Sequence, residues 1–549
     1  MNNNKCNITI QSEDRTISAE PGQSLLEALV ESGVLLRADC GGRGRCGKCK
    51  VRIIEPGSTD SIDNLPESGV LTQAEIENGY RLGCRVDIKG DMTVDIPESS
   101  MLTPEVAQKG PTTLPDTIPV TRTPSAPYGI AVDLGTTTIA LYLCDLNLGK
   151  VAASISLRNP QVMLGDDVMS RITAVSQNPG ALKRLQKMAV NAMEWGIGSL
   201  CRSSKIDPLT IGTMVIVGNS TMIHMFLGED PSSIGVFPYE PLFNDERSVT
   251  AGTLGLAFNP STEVRTLPLI SGFLGADIVG ATQAADLAHK VKGTLLADVG
   301  TNGEIILLGE KGFSATSCAT GPAFEGASIR HGMHAISGAI DAVKVDPGTG
   351  TAVCSVIQKN PKQPKKVSGL CGSGVVSAVA ELYRAGLILN DGRFNTEAAP
   401  DLFQYEDELP EYILAPAGET LSGKAVTLAQ KDIRAIQLAK GALYAGIQML
   451  CSEKGYERPS RLLIAGAFGS YIAKEDALAI GMFPAIPPDD IEIVGNAAGA
   501  GAVLTLFDDN YRNKARELVQ DTEVLELALH PDFQDIFIKA LAFPDLSSE

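Results

Sequence analysis

Four cysteines near the N-terminus have the spacing of metal ligands. Five residues separate Cys40 from Cys46, two separate Cys46 from Cys49, and thirty-four separate Cys49 from Cys84. The loop between them is rich in glycine, which lets the backbone reach unusual φ values and point N–H groups at sulfur. Because thiolates are soft metal ligands and the chain has an odd total of eleven cysteines, the pattern predicts a metal centre and not a framework of disulfides.

The same spacing bears on which metal centre this is. A zinc site built from four cysteines usually has two C-x2-C pairs, and here only Cys46 and Cys49 form one. Plant-type ferredoxins use C-x4-C-x2-C followed by a distant fourth cysteine. This chain has one additional residue in the first gap, a spacing that also occurs in other ferredoxins of the β-grasp fold. The motif therefore resembles a [2Fe–2S] site, with a zinc site as the alternative.

The elements around the cysteines support the ferredoxin interpretation. Residues 21–33 are predicted to form an amphipathic helix. Its apolar face consists of Leu25, Leu26, Leu29 and Val30. Strands are predicted at 7–11, 15–19, 50–54 and 85–88. The order of strand, strand, helix, cysteine-rich loop and strand is that of a β-grasp ferredoxin, so residues 1–97 are predicted to form one domain.

A second set of residues has the character of a phosphate site. Segment 132–138 reads V-D-L-G-T-T-T and segment 297–304 reads A-D-V-G-T-N-G-E, and in each a buried strand ends at an aspartate before a Gly-Thr turn. Small residues in such turns let backbone N–H groups and hydroxyls approach phosphate oxygens. One turn alone would be weak evidence, but the two lie in similar sequences about 165 residues apart. This repetition predicts a duplicated α/β domain.

The residue types in these two turns predict their chemistry. The carboxylates of Asp133 and Asp298 would hold Mg²⁺ and orient the attacking water. Glu304 could orient water or pair with a nearby basic group, and the two alternatives are equally open. The candidates for contact with phosphate are Gly135, Thr136, Thr137, Gly300, Thr301 and Asn302.

Four further residues are candidates, each with a purely structural alternative. Gly466 and Gly469, in LLIAGAFGSYI at 462–472, could pack against adenosine or make a close strand–helix turn. Ser373, in GLCGSG at 369–374, could touch phosphate, face a partner or cap a helix. Asp277 could support the carboxylates of the phosphate turns or act as a helix N-cap.

Composition limits the possible partners and the cellular location. The chain has 549 residues, 20% of them charged, and a formal charge of −19, so nucleic acid and anionic membranes are poor partners. The N-terminus lacks the pattern of a signal peptide and no apolar stretch is long enough for a membrane helix, which predicts a cytoplasmic location. Residues 98–125 contain five prolines and are predicted to be a flexible linker.

Together the motifs resemble the actin-like (ASKHA) superfamily, with a plant-type ferredoxin domain placed ahead of the ATPase. The chain is similar over nearly its whole length to the reductive activators of corrinoid proteins. This similarity rests on the segments NPQVMLGDDVMSRI, SGFLGADIVGA, DVGTNGEI, CATGPAFEGA and GLCGSG. The resemblance implies a multidomain α+β and α/β protein with a middle domain at 126–206, which carries the first phosphate motif, and an RNase H-like ATPase domain at 207–549.

The resemblance also implies a function. Such activators use ATP to return one electron to a Co(II) corrinoid protein of a methyltransferase system, with an external low-potential electron donor and, by resemblance, a homodimeric state. Reduction is uphill from a [2Fe–2S] cluster, and a deficit of roughly 100–150 mV corresponds to about 2–3.5 kcal/mol for one electron. The alternatives are an ATP-dependent electron injector for another low-potential partner, and a non-enzymatic, redox-gated ATP-binding regulator or chaperone.

Overall fold

The computed structural model describes residues 5–38, 40–44, 46–55, 70–102, 114–115, 117–121, 126–326, 328–333, 335–358, 366–466 and 472–545. The chain divides into two compact units. The N-terminal unit comprises Met1–Gly110 and Pro119–Thr266, and the C-terminal unit comprises Pro111–Ile118 and Leu267–Glu549. Within the described part of the chain, no helix is both long and apolar enough to cross a lipid bilayer.

The first domain of the N-terminal unit is a five-stranded sheet with two short helices. The sheet order is β2-β1-β5-β3-β4, with β1 and β5 parallel. Ser24 caps the N-terminus of α1 by accepting a hydrogen bond from the Glu27 amide at 3.3 Å, and the predicted apolar face of this helix is buried. The elements are β1 (Cys6–Ile10), β2 (Arg15–Ala19), α1 (Leu25–Glu31), β3 (Lys50–Glu55), α2 (Gln73–Glu77), β4 (Tyr80–Leu82) and β5 (Met92–Asp95).

Two details of this domain differ from the sequence prediction. The predicted strand at 85–88 is wrong, because the backbone there bonds to the turn that leads into α1: the Leu25 amide donates to Val86 O at 2.8 Å. The last strand is β5 instead. The domain also extends past residue 97, since the Arg37 amide donates to Ser100 O and the Leu102 amide donates to Leu35 O. Most of the predicted linker (103–113, 116 and 122–125) lies outside the described residues.

The second domain of this unit is built on a six-stranded sheet in the order β10-β11-β9-β6-β7-β8. β6 is antiparallel to β7 and parallel to β9. The predicted boundary after residue 206 falls inside this sheet, because β9 and β11 complete it. The elements are β6 (Tyr128–Leu134), β7 (Thr138–Asp145), β8 (Lys150–Arg158), α3 (Val168–Gln177), α4 (Gly180–Ser204), β9 (Ile211–Val217), α5 (Ser220–Leu227), β10 (Ser248–Thr250), α6 (Ala251–Leu254) and β11 (Glu263–Thr266).

The C-terminal unit repeats this sheet. Its order is β22-β21-β12-β13-β14-β23, in which β12 is antiparallel to β13 and parallel to β21. Two three-stranded sheets, β16-β15-β17 and β18-β19-β20, are added to it. The strands are β12 (Thr294–Val299), β13 (Gly303–Gly309), β14 (Gly312–Cys318), β15 (Ala339–Val345), β16 (Ala352–Val356), β17 (Gly369–Leu370), β18 (Phe403–Glu406), β19 (Leu409–Ala415), β20 (Val426–Ala429), β21 (Arg461–Ala465), β22 (Ile491–Gly495) and β23 (Thr522–Val524).

The C-terminal unit has a continuous apolar core that includes one face of β12 (Leu295, Ala297 and Val299) and one face of β13 (Ile305 and Leu307). The helices of this unit are α7 (Ala276–Ala284), α8 (Gly372–Arg384), α9 (Gln430–Glu453), α10 (Lys474–Ala479), α11 (Ala497–Phe507), α12 (Asn510–Gln520) and α13 (Phe533–Ala540). In both units the five central strands have the same order and directions, so the predicted duplication of an RNase H-like domain is confirmed.

Candidate functional site

The pairing of β3 with β4 brings two of the four cysteines together. Cys49 immediately precedes β3 and Cys84 lies just after β4, and the Gly83 amide donates to Cys49 O at 2.8 Å. As a result the sulfur atoms of Cys49 and Cys84 are 3.4 Å apart. Cys40 and Cys46 lie in the loop between α1 and β3 and are half-buried.

This pair fits the chemistry of a shared iron. A tetrahedral metal with metal–sulfur bonds of about 2.3 Å holds two sulfurs about 3.8 Å apart. The hydrogen bond with Cys49 lowers the pKa of Cys84, while that bond and burial raise the pKa of Cys49. The two thiols therefore lie close to the separation that one tetrahedral metal imposes on two of its ligands. Among the described residues, no three or more His, Cys, Asp or Glu side chains are gathered to hold a single metal ion.

The first phosphate turn is a tight connection between β6 and β7. The Gly135 amide donates to Thr138 O at 3.0 Å, and a Cβ at Gly135 would lie 2.6 Å from the same oxygen. Only glycine fits this turn, which leaves its backbone close to any ligand. Asp133 lies at the end of β6, beside the end of β9, where the chain turns at Gly218 into α5.

Buried polar side chains donate hydrogen bonds to this turn. The side-chain amide of Asn159 donates to Gly135 O at 2.9 Å, and its backbone N–H donates to Thr137 O at 2.7 Å. The fully buried Arg171 donates to Thr136 O at 2.6 Å, and Asn219 donates to Thr136 Oγ1 at 2.9 Å. The backbone of all three predicted phosphate-binding residues is thus fixed by the polar groups of this network.

The second phosphate turn has the same design in the C-terminal unit. The Gly300 amide donates to Asn302 O at 3.1 Å. Thr320 donates to Gly300 O at 3.0 Å, and Thr301 donates to Glu325 Oε1 at 3.0 Å. The hydroxyl of Thr301 is thereby oriented by Glu325.

Three carboxyl groups lie together beside this turn. Asp298 and Glu304 are directly opposite each other across β12 and β13. Burial and the charges of Asp277 and Asp298 raise the pKa of Glu304 well above its usual range. Burial raises the pKa of Asp277 to about 6. Mg²⁺ is usually bound by one or two carboxylates together with waters and substrate phosphates, so these carboxyl groups are ligands of the right type although, among the described residues, they do not form a closed metal site.

Two expectations for the carboxylates changed with the structure. Asp277 lies in the first turn of α7 and is not its N-cap, which is Gly275. Of the two alternatives for Glu304, pairing with a basic group finds no support in its surroundings, because the groups that shift its pKa most are acidic.

In each unit, a glycine follows the parallel strand beside the strand that leads into the phosphate turn. These glycines are Gly218 after β9 and Gly466 after β21. A Cβ at Gly466 would lie 2.5 Å from Val299 O and 2.8 Å from Asp298 Oδ1, and its φ is +97°. In the other unit, a Cβ at Gly218 would lie 2.6 Å from Leu134 O. Gly466 therefore packs closely against the end of the strand that carries Asp298, and its contact with adenosine stays a prediction. Gly469 lies outside the described residues.

Ser373 lies at the first turn of α8 and is buried. Its hydroxyl donates to Asp341 O at 3.0 Å, which connects α8 to β15. The structure brings Ser373 together with Cys371 and Asp341, not with the residues of the second phosphate turn. A role for Ser373 at the nucleotide remains a prediction.

Several supporting residues were missed by sequence reasoning. Gly218 and Asn219 directly follow β9, and Gly218 has the position that Gly466 has after β21. The duplication itself was therefore the signal that could have identified them. Glu325 lies in the quoted segment CATGPAFEGA, but nothing local indicates that it reaches Thr301. Asn159 and Arg171 lie in NPQVMLGDDVMSRI, where their buried contacts could not be read.

Comparison with known proteins matches this arrangement of domains. A family model for the 2Fe-2S iron-sulfur cluster binding domain matches residues 8–89, one for the RACo middle region matches 128–290, and one for the C-terminal ASKHA domain of RACo matches 292–549. The corrinoid activation enzyme RamQ of Eubacterium limosum is 32% identical over 93% of this chain and 95% of its own length. The chain belongs to the RACo family.

Other relatives of this RACo-family chain agree. The [Co(II) methylated amine-specific corrinoid protein] reductase of Methanosarcina barkeri is 25% identical over 76% of the chain and 77% of its own length. A solved structure, the reductive activator for corrinoid, iron-sulfur protein, covers 99% of both chains with a TM-score of 0.71 and 27% identity. The predicted family, fold class and cofactor types are thereby confirmed.

Proposed function

We propose that this protein is an ATP-dependent reductive activator of a corrinoid protein. It transfers one electron from a reduced [2Fe–2S] cluster to the Co(II) corrinoid of its partner, which becomes Co(I), while ATP and water become ADP and phosphate. The observation that carries this proposal is the end-to-end similarity to a corrinoid activation enzyme, over 93% of this chain and 95% of that protein. The paired thiols would hold the cluster that transfers the electron, and the two phosphate turns would bind the ATP that is hydrolysed.

The ferredoxin domain supplies the electron. Cys40, Cys46, Cys49 and Cys84 would hold the cluster, which takes up and releases one electron when bound. The β3–β4 pairing places the sulfur atoms of Cys49 and Cys84 3.4 Å apart, close to the separation that a tetrahedral metal imposes on two of its ligands.

The phosphate turns bind and orient ATP. The lack of a side chain at Gly135 and Gly300 lets phosphate oxygens approach the backbone of each turn, and Thr136, Thr137, Thr301 and Asn302 add polar side chains. Asp133, Asp298 and Glu304 would hold Mg²⁺ and orient water, and the ion would neutralise the phosphate charge. Binding of Mg²⁺ would also relieve the repulsion that raises the pKa of Glu304.

The finer assignments belong to the same proposal. The partner is a corrinoid protein of a methyltransferase system, and an external low-potential donor reduces the cluster. The protein works in the cytoplasm, where its eleven cysteines stay reduced. The homodimeric state rests on the family resemblance alone.

Stopped-flow spectroscopy tests the function. The dithionite-reduced protein is mixed with a purified Co(II) corrinoid protein, with and without Mg-ATP, and the Co(I) absorption band is followed. We expect the band to form only when Mg-ATP is present. Formation at the same rate without ATP would contradict the ATP-driven step, and no band with several corrinoid proteins would favour the injector or regulator alternatives.

Two variants separate ATP chemistry from electron supply. Asp298→Asn should abolish ATP hydrolysis and the ATP-dependent Co(I) band but leave the visible spectrum of the cluster unchanged, and Asp133→Asn should behave alike. Asp401→Asn, at an exposed position of the same unit, is the matched control and should keep both activities. Unchanged turnover in both Asp133→Asn and Asp298→Asn would overturn the assignment of these residues.

A further inference from the structure

Within the N-terminal unit, the ferredoxin domain rests on α4. Arg184 Nε is 2.5 Å from Glu31 Oε1, and Arg184 Nη2 is 3.1 Å from Glu27 Oε2. Two turns further along α4, Asn191 donates to Val30 O at 3.0 Å and to Glu31 O at 2.9 Å. Carbonyls in the last turn of a helix lack intrahelical partners, so α4 caps the C-terminal end of α1.

A second contact covers the cysteine loop itself. A Cβ at Gly41, the residue after Cys40, would lie 3.1 Å from Val162 Cγ2. Arg43, two residues further on, forms an ion pair with Asp166. One side of the loop that carries Cys40 and Cys46 is therefore against residues 162–166.

The segment that touches the cysteine loop also holds the first phosphate turn. We call residues 159–171 the strap. Its first residue, Asn159, bonds to Gly135 O and Thr137 O, and its last residue, Arg171, bonds to Thr136 O. Arg171 also donates to Gly165 O at 2.9 Å, next to Asp166. Direct hydrogen bonds therefore join the phosphate turn to the strap, whose middle residues lie against the cysteine loop.

The contact has the character of a reversible interface. Besides the approach of Gly41 to Val162, it consists of ion pairs and hydrogen bonds of largely half-buried side chains, and a cavity of about 460 Å³ lies beside it, lined in part by Lys5, Arg15, Glu31 and Lys187. Predominantly polar interfaces between domains of one chain permit relative motion. This surface is suited to hold a domain and to release it.

We propose that α4 and the strap form a docking surface for the chain's own ferredoxin domain, and that nucleotide bound at the first phosphate turn weakens this docking. In the docked state the cysteine loop is partly covered, which restrains its approach to an electron acceptor. The direction of the coupling rests on the proposed function, since the electron must leave when ATP is bound. By linkage, docking and nucleotide binding weaken each other by the same factor.

Charge reversal tests the docking surface in the full chain. In Arg184→Glu, hydrogen–deuterium exchange of peptides covering 25–33 and 180–195 should become about fivefold faster. The double variant Glu31→Arg/Arg184→Glu restores one ion pair and should return exchange close to the original rate. Lys183→Glu, an exposed position on the same helix, is the matched control. The visible spectrum of the cluster checks that each variant is folded.

Two results would overturn the docking surface. Exchange in Arg184→Glu that equals that of the original chain shows that the ion pairs do not hold the domain. Faster exchange that the double variant fails to reverse shows that Arg184 acts through the stability of α4 and not through docking.

The coupling is tested with Mg-AMPPNP on the same peptides. At saturation, exchange of residues 25–33 should rise about fivefold, and Arg184→Glu should bind Mg-AMPPNP about fivefold more tightly by calorimetry. If the nucleotide protects 133–138 and 298–303 but leaves 25–33 unchanged, the coupling is wrong and the proposed ATP function stands. If it protects neither turn, the proposed function and the coupling both fail, and the charge-reversal result alone decides the docking surface.

Discussion

Glu304 shows how a single side chain is shaped by its neighbours. It is buried opposite Asp298, and burial together with the charges of Asp277 and Asp298 raises its pKa. A carboxyl whose pKa is raised by folding opposes folding at pH values above its unfolded pKa, because the unfolded chain ionises freely. This destabilisation by Glu304 arises at a place where a bound cation would neutralise the repulsion between the carboxylates.

Glu304→Gln should therefore stabilise the free protein and weaken its chemistry. Without Mg²⁺ at neutral pH, the free energy of unfolding should rise by about 1–3 kcal/mol, since an ionisable group in a repulsive site is lost. ATP hydrolysis should fall at least tenfold. Thermal unfolding and a phosphate-release assay measure the two effects, with the exposed Glu419→Gln as the control. A lower melting temperature in the absence of Mg²⁺ would contradict the repulsion argument.

Cysteine replacements distinguish ligands from packed thiols. Cys84→Ser should lose the visible absorption and the EPR signal of the cluster, because Cys84 is one of the two thiols held 3.4 Å apart. Cys6→Ser changes a buried cysteine in β1 that lies outside the motif, so it should lose some stability and keep both signals. Equal spectra in the two variants would mean that Cys84 is not a ligand.

At the scale of elements, the two phosphate turns are one design used twice. In each unit, an aspartate lies near the end of one strand and a glycine makes the tight turn after it. A second glycine follows the parallel strand that pairs with this first strand. These second glycines, Gly218 and Gly466, approach the carbonyls of Leu134 and Val299 too closely for a side chain. The two sites differ because the residue opposite the aspartate is Ala140 in one and Glu304 in the other.

Gly466→Ala should damage the second turn. Its φ of +97° is unfavourable for alanine, which costs about 1–2 kcal/mol, and the new Cβ would press on Val299 O and Asp298. ATP affinity should fall about tenfold, measured by calorimetry. Gly418→Ala is the control, since no atom lies within 4 Å of its Cβ position and its φ is not in the left-handed region. Equal affinities in both variants would show that the close approach is unimportant.

At the scale of the whole molecule, residues 541–544 pack against buried side chains of the C-terminal unit. The buried Lys440 of α9 donates to Ala542 O, and Gln437 donates to Leu541 O at 2.8 Å. Tyr383 of α8 donates to Pro544 O. Burial lowers the pKa of Lys440 to about 7, so this attachment contains a proton-binding group that titrates near neutrality.

The stability of this unit should depend on pH through Lys440. Between about pH 7 and pH 10, the unfolded chain carries a proton on Lys440 that the folded chain has lost, so its contribution to stability rises with pH. Relative to Lys440→Met, the free energy of unfolding of the original chain should increase by roughly 1 kcal/mol per pH unit in this range. Thermal unfolding at pH 7, 8 and 9 measures the difference, and parallel curves would contradict it.

Local chemistry determined much of this protein. The metal motif is confined to one loop plus Cys84. The phosphate turns are short strand–turn–strand segments, and their repetition predicts the duplicated fold. Each is a property of neighbouring residues, which is why spacing alone was informative. The long helices α4 and α9 likewise follow from periodicity along the chain.

The tertiary structure decided which distant residues act together. The boundary after residue 206 was misplaced because strand order is set by pairing across the chain, as β9 and β11 joining β6 show. Glu325 reaching Thr301, Arg171 supporting Thr136, and α4 holding the end of α1 are contacts between segments far apart in sequence. Such contacts form only when separate elements pack, so the sequence by itself identified the chemical groups, and folding decided what supports them.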